Sequence, residues 1–199
     1  EQIIRETLDL LQMALGTLPI HTYTYQEAFT KATKIDCDIC DMQELFTCLK
    51  AHKIQISDTN WDRDSLIQLV MSSVVEPTLD PHDLTVITDF PKEQAALAKT
   101  RLVNQKLVAC RFEVYYKTVE IANGYQELTD PQENKLRIEE ANQNRLLMGK
   151  ESLPIDEKFI QDLKLPSCCG VALGFDRLLA LKHGLNNLKP ILSFAWDET

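Results

Sequence analysis

Phe112-Glu113-Val114-Tyr115-Tyr116-Lys117-Thr118-Val119-Glu120-Ile121-Ala122-Asn123-Gly124-Tyr125-Gln126-Glu127-Leu128 is the stretch that decides the fold. β-Branched and aromatic residues fill both halves, and Lys117-Thr118 divides them. This predicts two strands, Phe112 to Tyr116 and Val119 to Ala122, joined by a two-residue turn. Tyr116 then faces Val119 and Tyr115 faces Glu120. Side chains alternate along a strand, so Glu113 and Glu120 share one face as diagonal neighbours. Two like charges so placed repel unless a cation sits between them, and carboxylate oxygens suit a hard ion such as Mg2+. Asn123, Tyr125 and Glu127 share one parity, opposite to that of Glu120. For all of them to line one pocket, the strand must bulge or kink near Ala122–Gly124, and Gly124 is the residue that permits it. Spacing alone favours a plainer reading, in which the two glutamates lie on a solvated sheet face.

Downstream, Asp130 is placed to cap a long helix, with Pro131 at its first position, Glu133 three residues after the cap and Gly149 at its end. Gly170-Val171-Ala172-Leu173-Gly174 is a short apolar strand that runs directly into a helix, Phe175 to His183. Its glycines allow a planar or phosphorylated ligand to approach the backbone. Arg177 falls in the first turn of that helix, where a guanidinium can stack on an aromatic ring and bind phosphate oxygens. Glycine-bracketed strands are common, so this pattern alone is a weak signal.

Upstream, Leu84 to Phe90 reads as a strand closed by Pro91. Residues 17–83 read as short helices and loops: Tyr25 to Lys31, Met42 to His52, and Trp61 to Val74 capped by Asn60 or Asp58. Ile3, Ile4, Thr7, Leu8, Leu11 and Leu15 mark a first helix that stops at Gly16 and has no cap before it. The predicted class is α+β, a single domain of antiparallel strands with flanking helices. Within it, 17–83 is a mainly helical insertion and 84–199 carries the sheet.

The 199 residues are enough for one sizeable core, and 44% hydrophobic with 26% charged is ordinary for a globular domain. A net charge of −9 argues against a self-sufficient nucleic-acid binder. No run is long enough to span a bilayer and Glu1 to Thr7 is no signal sequence, so the expected location is cytoplasmic, with no membrane partner. Six cysteines then read as reduced. Cys37, Cys40, Cys48 and His52 nominally make a zinc set, but Cys48 and His52 belong to the helical run with Leu45 and Leu49. Small buried hydrophobes are the better reading.

Taken together, the segments around Glu113 and Arg177 resemble the class II aminoacyl-tRNA synthetases. Gly170 to Leu181 is similar to their motif 3, whose arginine packs on the adenine of ATP and reaches its γ-phosphate. Phe112 to Leu128 resembles the amino-acid and metal strands of the lysyl-tRNA synthetase branch. The resemblance implies that Glu113 and Glu120 hold Mg2+ with ATP, that Glu120, Ile121, Gly174 and Arg177 contact the nucleotide, and that Arg177 is catalytic. It implies that Asn123 and Glu127 contact the amino acid, Glu127 as partner of a lysine ammonium group, with Tyr125 against the aliphatic stem.

Within that branch the chain is more similar to the stand-alone ligases that attach (R)-β-lysine to elongation factor P. Phe-Glu-Val-Tyr-Tyr-Lys117, Glu120-x-Ala-Asn-Gly124, Glu127-Leu-Thr-Asp130, Gly170-Val-Ala-Leu-Gly174, Asp62-Arg-Asp-Ser-Leu66 and Val75-Glu-Pro77 carry the likeness. Ala172 stands where lysyl-tRNA synthetases usually have glycine, and its methyl narrows the amino-acid pocket. The implied activity is ATP-dependent: an amino acid is activated as an adenylate and transferred to a lysine of elongation factor P. Motifs 1 and 2 are absent from this chain and precede this region in the family. The sheet is therefore expected to be incomplete at its N-terminal side, the isolated 199 residues inactive and the full-length protein a homodimer. Two rivals stay open: a lysyl-tRNA synthetase with tRNA as acceptor, and a non-catalytic synthetase-like binding module.

Overall fold

Lys117 and Thr118 form the turn, both in the left-handed region with φ of 50° and 61°. Tyr115 pairs with Glu120 and Tyr116 with Val119, the register that the sequence predicts. The molecule is a computed structural model describing residues 1–56 and 61–194. Around this hairpin, β4 (Lys106–Tyr116) and β5 (Val119–Gln126), lies a six-stranded sheet. Its other strands are β1 (Ile20–Thr24), β2 (Leu84–Pro91), β3 (Thr100–Val103) and β6 (Cys169–Leu173). The order is β1-β2-β4-β5-β6, with β3 extending the early part of β4. All pairings are antiparallel except β1 with β2, which is parallel.

Alternation along β4 sends Phe112 and Val114 to one face and Glu113 and Tyr115 to the other. The first face is dry. Phe112, Val114, Ile121 and Ala122 pack there with Leu84 and Val86 under α1 (Gln2–Leu15) and α7 (Phe175–Lys182), which contribute Leu8, Leu11 and Leu178. Burying each of the larger side chains contributes about 1.5 to 3 kcal/mol. Gly124 lies opposite Phe112, and a Cβ on it would sit 2.3 Å from the Phe112 ring. Its lack of a side chain makes room for that ring.

The second face is partly covered by the helical segment α2 (Tyr25–Thr33), α3 (Met42–Ala51) and α4 (Arg63–Val70). Capping boxes start α2 at Thr24–Glu27 and α3 at Asp41–Glu44. Asp62 caps α4 through Ser65 N–H, whereas the expected caps Asp58 and Asn60 lie outside the described residues. The predicted helix to Val74 ends sooner as an α-helix: Met71–Val75 is a π turn, and a short 3-10 turn, Glu76–Thr78, follows. α5 (Pro131–Leu147) starts at the predicted Asp130 cap, and α6 (Glu157–Asp162) precedes β6.

Cys37, Cys40 and Cys48 lie in the core of the helical segment. Arg63 donates to the Cys37 and Cys40 carbonyls, and His52 Nδ1 lies 2.9 Å from the Cys48 carbonyl oxygen. Among the described residues these four do not converge as metal ligands, and burial pushes the Cys37 thiol up to about 12. No described helix is long and apolar enough to cross a membrane.

Candidate active site

The pairing slips by one residue between Val114–Ala122 and Tyr115–Glu120, so Ile121 is an extra residue in β5. This is the bulge that the parity of the side chains demands, displaced from Ala122–Gly124 to Ile121. Beyond it Glu113 faces Asn123 and Arg111 faces Tyr125, while across β6 Asn123 faces Ala172 and Tyr125 faces Gly170. Arg111, Glu113, Tyr115, Glu120, Asn123, Tyr125, Gly170 and Ala172 therefore share one sheet face. Ile121 is the exception among the expected contact residues. Its side chain is 1% exposed in the opposite core and its carbonyl accepts from Gly174 N–H at 2.9 Å, so a ligand can meet it only through the backbone.

Glu113 is buried and held on three sides. Oε1 accepts from Arg111 Nη2 and, at 3.3 Å, from Asn123 Nδ2, while Oε2 accepts from the Tyr115 hydroxyl. Arg111 is itself fixed. Nη1 donates to the Gln94 carbonyl at 2.8 Å, and the guanidinium lies 4.5 Å over the Phe90 ring and 5.7 Å from Tyr125. One side of Tyr125 is thus taken by Arg111. The Gln94 amide ties this turn to Asp64 of α4 at 3.1 Å. Sequence reading missed Arg111, Tyr115 and Gln94. The shared parity of Arg111, Glu113 and Tyr115 was a usable signal for the first two.

Glu120 is half-buried, and burial together with the neighbouring Glu113 charge raises its carboxyl pKa. Arg177 donates to the Glu120 carbonyl at 2.9 Å, with its guanidinium 4.0 Å from the Glu120 carboxylate and half exposed. Glu76 enters from the helical segment. Its Oε1 lies 3.3 Å from the Tyr115 hydroxyl, and burial, with Glu113 and Glu120 nearby, pushes its carboxyl up to about 7. A cavity of about 640 Å³ is bounded by Glu76, Arg111, Glu113, Tyr115 and Glu120 on one side and by Trp61, Ser65, Gln68 and Ser72 on the other.

Glu127 lies past the end of β5, bridged to Ala98, with its N–H bonded to the Cys168 carbonyl at 3.0 Å. Its Oε1 sits 2.6 Å from where a Cβ on Gly170 would be. Gly170 therefore lets the Glu127 carboxylate fold across β6. No described residue pairs with that carboxylate, and Asn123 Oδ1 is buried without a partner. At Gly174 an added Cβ would meet only the Arg177 side chain, at an ordinary 3.4 Å. Packing within the chain does not itself exclude a side chain there.

The face thus offers two neighbouring carboxylates for a divalent cation, one half-buried carboxylate for an ammonium group, an arginine at a helix start, and a surface of small residues, Gly170 and Ala172 of β6 followed by Gly174 before α7. Comparison with known proteins finds similar sequences. The chain is 41% identical over 196 residues to the elongation factor P-(R)-beta-lysine ligase of Proteus mirabilis, covering 97% of this chain and 60% of that protein. It is 40% identical over 200 residues to the ligase of the same name from Salmonella dublin, covering 99% and 61%. The chain spans about three-fifths of the length of these curated relatives. The family described as tRNA synthetases class II (D, K and N) matches residues 1–198, and the chain belongs to that family.

Proposed function

We propose that this chain forms part of an ATP-dependent ligase that activates (R)-β-lysine and transfers it to a lysine of elongation factor P. The observation that carries the reading is the β5 bulge at Ile121, which brings Glu113, Glu120, Asn123 and Tyr125 onto one face. The names of the similar Proteus and Salmonella ligases supply the substrate and the acceptor.

Glu113 and Glu120 would hold Mg2+, which when bound neutralises phosphate charge. Their fit rests on the chemistry of the donors: two adjacent carboxylates, where burial and the Glu113 charge both disfavour ionisation of Glu120 until a cation is present. Arg177 would bind phosphate and stack on the adenine, and Gly174 leaves space beside it. Glu127 would take the ammonium group at the end of the substrate side chain, and Asn123 its polar backbone groups. In the first step the amino-acid carboxylate attacks the α-phosphorus of ATP and pyrophosphate leaves. In the second the acceptor amine attacks the acyl carbon and AMP leaves. No protein nucleophile is needed, and the residues act by orientation and charge.

Ala172 favours the β-amino acid over α-lysine. It faces Asn123, so its methyl projects where the amino-acid end of the substrate would lie. The test is Glu127→Gln in the full-length protein. Lysine-dependent activation should fall by about 100-fold while ATP affinity stays constant, as expected when a charge-assisted bond is lost. Equal losses in both would refute the assignment.

A further inference from the structure

The Tyr115 hydroxyl lies between two carboxylates, Glu113 Oε2 and, at 3.3 Å, Glu76 Oε1. A phenol has one proton to give. The shorter contact is to Glu113, and that bond uses the proton. The longer contact, to Glu76, holds the phenol from its other side.

Among the described residues Tyr115 is the side-chain partner of Glu76. Glu76 is half-buried, faces Glu113 and Glu120, and no described cation pairs with it. The backbone also holds it in place. Glu76 follows directly on the π turn Met71–Val75, whose Val74 and Val75 are buried, and Pro77 stiffens the next residue. The Glu76–Tyr115 contact is therefore a strut from the helical segment to the sheet, ending on Glu113.

We propose that Glu76 and Tyr115 are positioning residues of the adenylate-forming site, fixing the Glu113 carboxylate in the orientation that a cation-bound nucleotide requires. This rests on the reading of Glu113 as a cation ligand. The terminal torsion of a glutamate is broad, so a carboxylate without outer partners samples many orientations. Partners one shell out from a metal ligand typically govern 10- to 100-fold of its affinity.

The test is a Mn2+ titration of the full-length protein with a non-hydrolysable ATP analogue, followed by electron paramagnetic resonance. Tyr115→Phe, Glu76→Ala, Glu76→Gln and Glu113→Gln are compared with the wild type, each checked for folding by circular dichroism. Tyr115→Phe and Glu76→Ala should weaken Mn2+ by about 10-fold or more. Glu76→Gln keeps a carbonyl oxygen facing the phenol and should bind as the wild type does. Tyr115→Phe removes a single oxygen, so it reports even if Glu76→Ala does not fold. Wild-type affinity in Tyr115→Phe, with loss in Glu113→Gln, overturns the proposal and leaves the cation reading intact. Wild-type affinity in Glu113→Gln overturns the cation reading itself. Equal loss in Glu76→Gln and Glu76→Ala overturns the strut, because Glu76 would then act through its charge and not through its contact with Tyr115.

Discussion

Glu76 and Glu127 are both half-buried glutamates beside the same sheet face, yet their settings differ. Glu127 lies over Gly170, where a side chain would collide with its carboxylate, whereas Glu76 has Glu113 and Glu120 as charged neighbours. The folded protein holds the Glu76 proton more tightly than the unfolded chain does, so ionising it opposes folding. Its contribution to stability therefore falls as pH rises from the ordinary glutamate range near 4.5 to about 7. Glu76→Gln removes that slope. Urea unfolding should show the variant gaining on the wild type between pH 5 and pH 8, and parallel pH profiles would count against the assignment. At this scale parity and spacing within two contiguous segments bring Glu113, Glu120, Asn123, Tyr125, Glu127, Gly174 and Arg177 forward as candidates, and Ala172 enters only through the family resemblance. The role of Glu76 depends on a contact with Tyr115 across 39 positions of the chain. No local pattern announces such a contact.

At the scale of elements, the β4–β5 hairpin carries both the site and a local conflict. Thr118 is β-branched and takes φ of 61°, a conformation that asparagine or glycine adopts more easily. Thr118→Gly should stabilise the protein by about 0.5 to 1 kcal/mol, the relief of left-handed strain less the extra freedom of glycine when unfolded. A shift of the urea midpoint in the other direction would refute this. Gly124→Ala should have the opposite effect. Its Cβ would overlap the Phe112 ring and approach the Gly170 carbonyl at 2.9 Å, a destabilisation of about 1 to 3 kcal/mol. Unchanged stability would show that the sheet can separate there without cost.

Hairpin register was legible because Lys117-Thr118 punctuates two clear strands. The bulge was legible as a requirement, but its position was not, since Ile121 alternates normally and only its burial in the opposite core marks it as extra. β1 was missed. Ile20-His21-Thr22-Tyr23-Thr24 is an exposed edge strand with little apolar alternation to give it away.

Across the whole molecule, the sheet divides the labour between its faces. Phe112, Val114, Ile121 and Leu178 close one face under α1 and α7, and this dry layer gives rigid support to the strands. The other face leaves a cavity between Glu113, Glu120 and the helical segment. The α+β class and the flanking helices were readable from strand and helix punctuation. The parallel β1 and the tie from Asp64 through Gln94 to Arg111 were not, because they join parts remote in sequence. The central proposal is that this open face activates a lysine-type amino acid and prefers the β-amino form because of Ala172. The direct measurement is amino-acid-dependent exchange between ATP and pyrophosphate by the full-length protein, wild type and Ala172→Gly, with (R)-β-lysine and α-lysine. Exchange with (R)-β-lysine should run well above that with α-lysine in the wild type, and the preference should narrow or reverse in Ala172→Gly. Exchange with neither amino acid, or a preference for α-lysine that Ala172→Gly leaves unmoved, would contradict it.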